Sequence, residues 1–218
     1  MIEIKNISKS TTITKIYELK HQPFCDFKIE CKFNNLQYSL ILLTSDCAKN
    51  KNLMEIIGGW RKENEMWFYS QFVVTLERTT KWFKERVINA PDRLLFLIDV
   101  DNEYIGHVGL FRFDFENNTC EIDNIVRGEP KFPGIMENAI KEMMNWGKES
   151  LGLRNYSLQV ISDNDKAIKL YQKLSFIETS RVPLIQVNGN DGTEWTEAPK
   201  GYDQNVERYN LIMKWDEK

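Results

Sequence analysis

Between Ser162 and Phe176 the chain reads SDNDKAIKLYQKLSF. Ala167, Ile168, Tyr171 and Leu174 recur at helical spacing and form one apolar stripe behind a capped start. By that pattern Tyr171 packs, yet its phenol is the one group on the stripe with a proton to give. Upstream, strand alternation through Thr119–Val126 (TCEIDNIV) puts Glu121, Asp123 and Ile125 on one face. Two carboxylates on one face of a central strand are unusual for a purely structural strand. Either could take a proton; the alternative is a carboxylate bonded to a neighbouring turn or arginine. His107 lies mid-strand in the adjacent segment. Its ordinary pKa suits a base, against the alternative of a hydrogen-bonded core histidine.

A second chemistry-bearing feature is the loop Arg127–Gly134 (RGEPKFPG), which leads directly into a helix. Such a junction aims free backbone N–H groups and the positive end of the helix dipole at one point, which suits a phosphate. Arg127 could add a charge-assisted hydrogen bond. Alternatively, the glycines and prolines serve only to turn the chain.

These residues need elements to hold them. Leu94–Val100, Tyr104–Phe115 and Thr119–Val126 read as an antiparallel meander, joined by Asp101-Asn102-Glu103 and Glu116-Asn117-Asn118. A helix follows over Ile135–Leu151, with Met136, Ala139, Ile140, Met143 and Met144 inward and Gly152 as its stop. Tyr156–Ile161 is then a strand parallel to Thr119–Val126. The Tyr171 helix comes next, followed by a strand from Phe176. Val182–Val187 and Thr193–Thr196, around Asn188–Gly192, read as an inserted hairpin, and Arg208–Trp215 as the closing strand. Earlier in the chain, Ile2–Lys5 and Tyr38–Thr44 read as strands, and Leu53–Lys62 and Thr75–Ile88 as helices. The class is α+β, a mixed and mostly antiparallel sheet with helices on both faces, in one domain over residues 1–218.

Composition narrows the partners. A net charge of −3 and a pI near 5.6 give no support to nucleic-acid binding or to an anionic membrane surface. The apolar runs are strand-sized, and the polar start lacks a signal-peptide core, so a cytoplasmic location is expected. Cys25, Cys31, Cys47 and Cys120 have no CxxC spacing and the two histidines stand apart from them. Reduced thiols and no metal are expected.

The order of strand, Arg/Gly loop, helix, strand and the signature Asn164, Ala167, Leu170, Tyr171, Lys173, Phe176 resembles the GNAT superfamily of acyl-CoA-dependent N-acyltransferases. The likeness covers about 94–178, with Tyr209–Trp215 like the family's last strand. Two features depart from it: the loop is stretched as RGEPKFPGIM, and Ser175 stands where a glycine is usual. The resemblance implies a GNAT-like sheet whose parallel strands splay apart to admit an acyl-pantetheine. Backbone groups at Ile125 and Val126 would pair with its amides, and a nearby N–H would polarise the thioester. Arg127, Gly128, Gly134 and Ile135 would cradle the pyrophosphate of acyl-CoA, and Asn164 would bond the pantetheine arm. Tyr171 would be the acid for the departing thiolate. Asp123, then Glu121, with His107 as the other candidate, would be the base.

For the acceptor, Trp60, Trp67, Tyr69 and Trp195 are aromatics that could stack on a sugar or base, or else pack in the core or in a homodimer contact. Arg78, Lys81 and Arg86 on one helix could meet a diphosphate, or form a solvated face. An N-terminal extension (residues 1–36) and an insertion at about 181–205 are expected to flank the acceptor side. The stretch EIDNIVRGEPKFPGIMENAI also resembles GNATs acting on nucleotide-linked amino sugars, of the dTDP-3-amino-3,6-dideoxyhexose type used for surface polysaccharides. The alternatives are a ribosomal-protein-type N-terminal acetyltransferase and a non-catalytic acyl-CoA-binding protein.

Overall fold

The computed structural model describes residues 9–189, 191–202, 204 and 206–217; the strand expected at Ile2–Lys5 lies outside them. Ten strands form one sheet: β1 (Lys28–Phe33), β2 (Leu36–Leu42), β3 (Ser70–Phe72), β4 (Arg93–Val100), β5 (Glu103–Asp114), β6 (Thr119–Arg127), β7 (Asn155–Ile161), β8 (Phe176–Gly189), β9 (Gly192–Glu197) and β10 (Arg208–Trp215). Their order across the sheet is β1-β2-β4-β5-β6-β7-β10-β8-β9-β3. All neighbours are antiparallel except β6 and β7. The helices are α1 (Lys9–His21), α2 (Lys51–Glu63), α3 (Leu76–Trp82), α4 (Ile135–Leu151) and α5 (Asp165–Lys173).

Alternation along the strands builds two core layers. Leu94, Phe96 and Ile98 of β4 face α4, whose Ile135, Ala139, Ile140 and Met143 are buried against them with Tyr171 of α5. Leu95 and Leu97 face the other way, toward Leu53, Ile57 and Trp60 of α2 and Phe83 and Val87 beyond α3. The glutamate, aspartate and histidine of interest all lie on this second face. Caps fix the helix starts: Asn50, Thr75 and Asn164 accept from the backbone N–H of Leu53, Arg78 and Ala167.

Several elements differ from the sequence reading. The helix expected over Thr75–Ile88 is α-helical only to Trp82 and continues as a π turn over Phe83–Ile88. The first hairpin strand is no separate element, because β8 runs unbroken from Phe176 to Gly189. Helix α1 and strand β1 were not anticipated. In the extension, β1 is the edge strand at the far end of the sheet from β8 and β9, with Phe33 packed on Gly134.

Candidate active site

Strands β6 and β7 begin as parallel partners, with Thr119 opposite Asn155, Cys120 opposite Tyr156 and Glu121 opposite Ser157. No pairing between them follows, although β6 continues to Arg127 and β7 to Ile161. Each keeps its outer partner to the end, β6 on β5 and β7 on β10. The strands therefore splay, leaving two facing backbone edges whose N–H and C=O groups need partners. From Arg127 back to Glu121 is about 20 Å of strand, the scale of an extended pantetheine arm. Glu121 sits where the strands part.

At the open end, Gly134 takes φ +91° and starts α4 without a side-chain cap. This leaves the first-turn N–H groups of Met136 and Glu137 without an intrahelical carbonyl. The rest of the stretched loop is already engaged. Arg127 donates to the carbonyls of Glu129 and Lys131, at 3.1 and 3.0 Å. The Gly128 N–H goes to the Ile105 carbonyl, and the Ile135 N–H to that of Phe132. Arg127, Gly128 and Ile135 thus shape the loop, and the amides left for an anion are further along than expected.

A bulge reorders β6. Asn124 has φ +48° and the β5–β6 register slips beside it. Ile125 consequently packs in the same layer as Cys120 and Ile122, while Val126 joins Leu95 and Leu97. Ile125 therefore leaves the face it was expected to share with Glu121 and Asp123, because an extra residue inverts the alternation.

The two carboxylates differ in how they are held. Asp123 Oδ2 accepts from Arg93 at 2.7 Å and from Asn124 Nδ2 at 2.8 Å. Its Oδ1 is buried without a partner and lies against Gly109, 2.8 Å from where a Cβ would stand. Burial pushes the Asp123 carboxyl up to about 6 despite Arg93. Glu121 Oε2 accepts from Arg112 at 2.8 Å and Gln159 at 3.0 Å, whereas Oε1 makes no such bond and is not buried. Glu121, rather than Asp123, keeps an accessible oxygen at the splay. His107 is 3% exposed, and its Nδ1 donates to the Asn124 carbonyl at 2.6 Å, which fixes the proton on that nitrogen. Burial drives its pKa down to about 4. At neutral pH that is a weak base under the Trp60 ring, 6.0 Å between centroids.

Tyr171 is 6% exposed, packed edge-on to Phe176. Its hydroxyl makes no hydrogen bond among the described residues and is not sealed off. Burial and the neighbouring Tyr69 phenol both raise its pKa, so it holds its proton at neutral pH. Asn164 spends its side-chain oxygen on the cap of α5 at 3.2 Å, which leaves its NH₂ for other partners. Two residues absent from the sequence reading join this region: Asn210 on β10 and Gln159 on β7. Tyr69 Oη donates to Asn210 Oδ1 at 2.7 Å, and Asn210 Nδ2 donates to Gln159 Oε1 at 2.7 Å. Neutral amides carry no titration signature; the one signal was a polar residue at alternate strand positions.

Of the four aromatics, Trp60 is a core residue and not a stacking platform, since its indole packs on Gly128 and His107. Trp195 is 8% exposed, with Arg208 4.9 Å over its ring. Trp67 is half-buried in a single 3₁₀ turn. Tyr69 follows it, and its carbonyl takes the Trp195 N–H. Directly after Tyr69, β3 lines a cleft of about 340 Å³ between α3 and the β8–β9 hairpin. Phe72, Trp82, Arg78, Lys81 and Arg86 line it, together with Glu85, Asp191 and Glu194. Arg78 pairs with Asp191 at 3.1 Å, while Lys81 and Arg86 have no ion-pair partner among the described residues.

A splayed parallel pair with a helix start at its open end is the arrangement that the resemblance to acyl-CoA-dependent N-acyltransferases implies. Residues 48–177, more than half of the chain, match the acetyltransferase (GNAT) domain, and the chain belongs to that family. It is 28% identical to the spermidine N(1)-acetyltransferase of Escherichia coli K12 over 124 residues, 56% of this chain and 66% of that protein, just under two thirds of its length. Among solved structures, RimL, a ribosomal L7/L12 alpha-N-protein acetyltransferase, superposes with a TM-score of 0.64 at 11% identity, covering 88% of this chain and 97% of RimL. Apo FdhC, a nucleotide-linked sugar GNAT, superposes at 0.60 and 17% identity, covering 87% and 90%. Both show the shared fold. No group of three or more His, Cys, Asp or Glu among the described residues could hold a metal ion, and no described helix is long and apolar enough to cross a membrane.

Proposed function

We propose that this enzyme moves an acetyl or longer acyl group from acyl-CoA to the amine of a nucleotide-linked amino sugar, of the dTDP-3-amino-3,6-dideoxyhexose type, for surface polysaccharide synthesis in the cytoplasm. The observation that carries the acceptor is the cleft beside Tyr69, where Lys81 and Arg86 stand without ion-pair partners among the described residues, next to Trp82 and Phe72. Cations suit a diphosphate and flat rings suit a base. The likeness to FdhC is compatible with it.

In this reading the pantetheine lies between β6 and β7 with the thioester near Glu121. The amine nitrogen attacks the carbonyl carbon, its proton passes to Glu121 Oε1, and a β6 backbone N–H near the bulge stabilises the oxyanion. The C–S bond then breaks and Tyr171 protonates the sulfur. Met136 and Glu137 N–H groups at the start of α4 receive the pyrophosphate.

The test is release of CoA thiol from acetyl-CoA with a dTDP-linked 3-amino-3,6-dideoxyhexose, spermidine and a ribosomal N-terminal peptide, each offered alone. Release with the sugar supports the reading. Release with the peptide or spermidine only would replace the acceptor, and CoA binding with no release would make this a binding protein.

A further inference from the structure

A chain of polar side chains leads from Arg112 to Tyr69, and its direction is fixed at one end. Glu121 Oε2 is a carboxylate oxygen and can only accept, so Gln159 must turn its NH₂ toward it. Gln159 Oε1 is then the group that faces Asn210, which must present its own NH₂. Asn210 Oδ1 is left for Tyr69, whose hydroxyl has to donate, at 2.7 Å. Arg112 holds the far end through Glu121. Each amide has one orientation that satisfies both neighbours; reversing any of them sets oxygen against oxygen or NH₂ against NH₂.

With its proton committed to Asn210, the Tyr69 oxygen can only accept from any further group. The Tyr171 hydroxyl lies near enough for a charge on Tyr69 to act on it. We infer that Tyr69 is the residue that orients the acceptor amine, taking one of its N–H bonds so that the nitrogen lone pair faces the thioester, and that Asn210, held in turn by Gln159, is a positioning residue acting through it. The complementary ligand is an N–H donor. A sugar hydroxyl can turn to donate or accept, whereas an amine approaching as an ammonium can only donate. This assignment rests on the thioester lying beside Tyr171 and on transfer to an amine, but not on that amine being a sugar's.

A double-mutant cycle tests it, run with whichever of the dTDP-amino sugar, spermidine or N-terminal peptide is acetylated. Tyr69→Phe is expected to lower kcat/KM for the acceptor at least tenfold, with the Kd of acetyl-CoA unchanged. Asn210→Leu, which leaves Tyr69, Gln159 and Glu121 in place, should lower it several-fold. The Tyr69→Phe, Asn210→Leu double variant should be no worse than Tyr69→Phe alone, because Asn210 reaches the acceptor only through Tyr69. Independent, multiplying losses, or a Tyr69→Phe enzyme with normal kcat/KM, would overturn the proposal. A measurement without acceptor separates this failure from a wrong acceptor class. The side-chain amide signals of Asn210 and Gln159 should both shift on Tyr69→Phe, and unmoved signals would contradict the chain of bonds.

Discussion

Glu121 and Ser157 face each other on the last rung of the parallel pair, and beyond them β6 and β7 part. This places the one site carboxylate with an accessible oxygen at the closed end of the gap that admits the cofactor arm. Glu121→Gln keeps the size and the contact with Arg112 but removes the proton acceptor. It should lower kcat by roughly a hundredfold, with acetyl-CoA affinity intact by titration calorimetry. Asp123→Asn, whose carboxylate is spent on Arg93 and Asn124, should cost clearly less activity; the reverse ranking would return the base role to Asp123.

Tyr171 contributes a packed ring and an unbonded hydroxyl. Tyr171→Phe should therefore reduce turnover well over tenfold, while the thermal unfolding midpoint stays close to wild type. A near-normal rate would make the side chain a packing residue only.

His107 and Asp123 flank the bulge at Asn124 and respond to acid in opposite senses. His107 has a folded pKa of about 4, below its ordinary 6.5, so the unfolded chain binds the extra proton between these values and stability falls as the pH drops through them. Asp123 has a folded pKa of about 6, above its ordinary 3.8, so in nearly the same window the native state binds the extra proton and stability rises as the pH drops. The two slopes, each up to about 1.4 kcal/mol per pH unit, largely cancel. Urea unfolding of His107→Gln from pH 7 to 4 should show a gain in stability relative to wild type on acidification. Asp123→Asn should show a loss.

Ser175, in the place of the family's usual glycine, sits at φ +67°. A side chain there strains the turn between α5 and β8. Ser175→Gly should raise stability by about 0.5–1 kcal/mol, read as a higher urea midpoint at unchanged activity.

How far the sequence could be read depended on how strongly local pattern and tertiary role agreed. Helix α4 and strand β10 begin and end where periodicity, Gly152 and the flanking polar residues place them. Helix α1 was missed because its apolar residues do not share one face: Ile16 is buried but Ile13 and Tyr17 are exposed. Strand β1 (KIECKF) hides behind its charges, being an edge strand. The bulge at Asn124 has no residue signature, so the face of Ile125 could not be read from alternation. Buried Trp60 and half-buried Trp67 look alike in sequence. The ordering Gln159–Asn210–Tyr69 joins three distant segments and exists only once β7 and β10 pair.

The most direct measurement of the central claim is the structure of the product by mass spectrometry and NMR, after incubation with acetyl-CoA and the dTDP-linked 3-amino-3,6-dideoxyhexose. The account predicts one acetyl group on the sugar nitrogen, one CoA released per acetyl transferred, and less than a tenth of both with Tyr171→Phe over the same time. An unmodified sugar alongside an acetylated peptide or polyamine would contradict it.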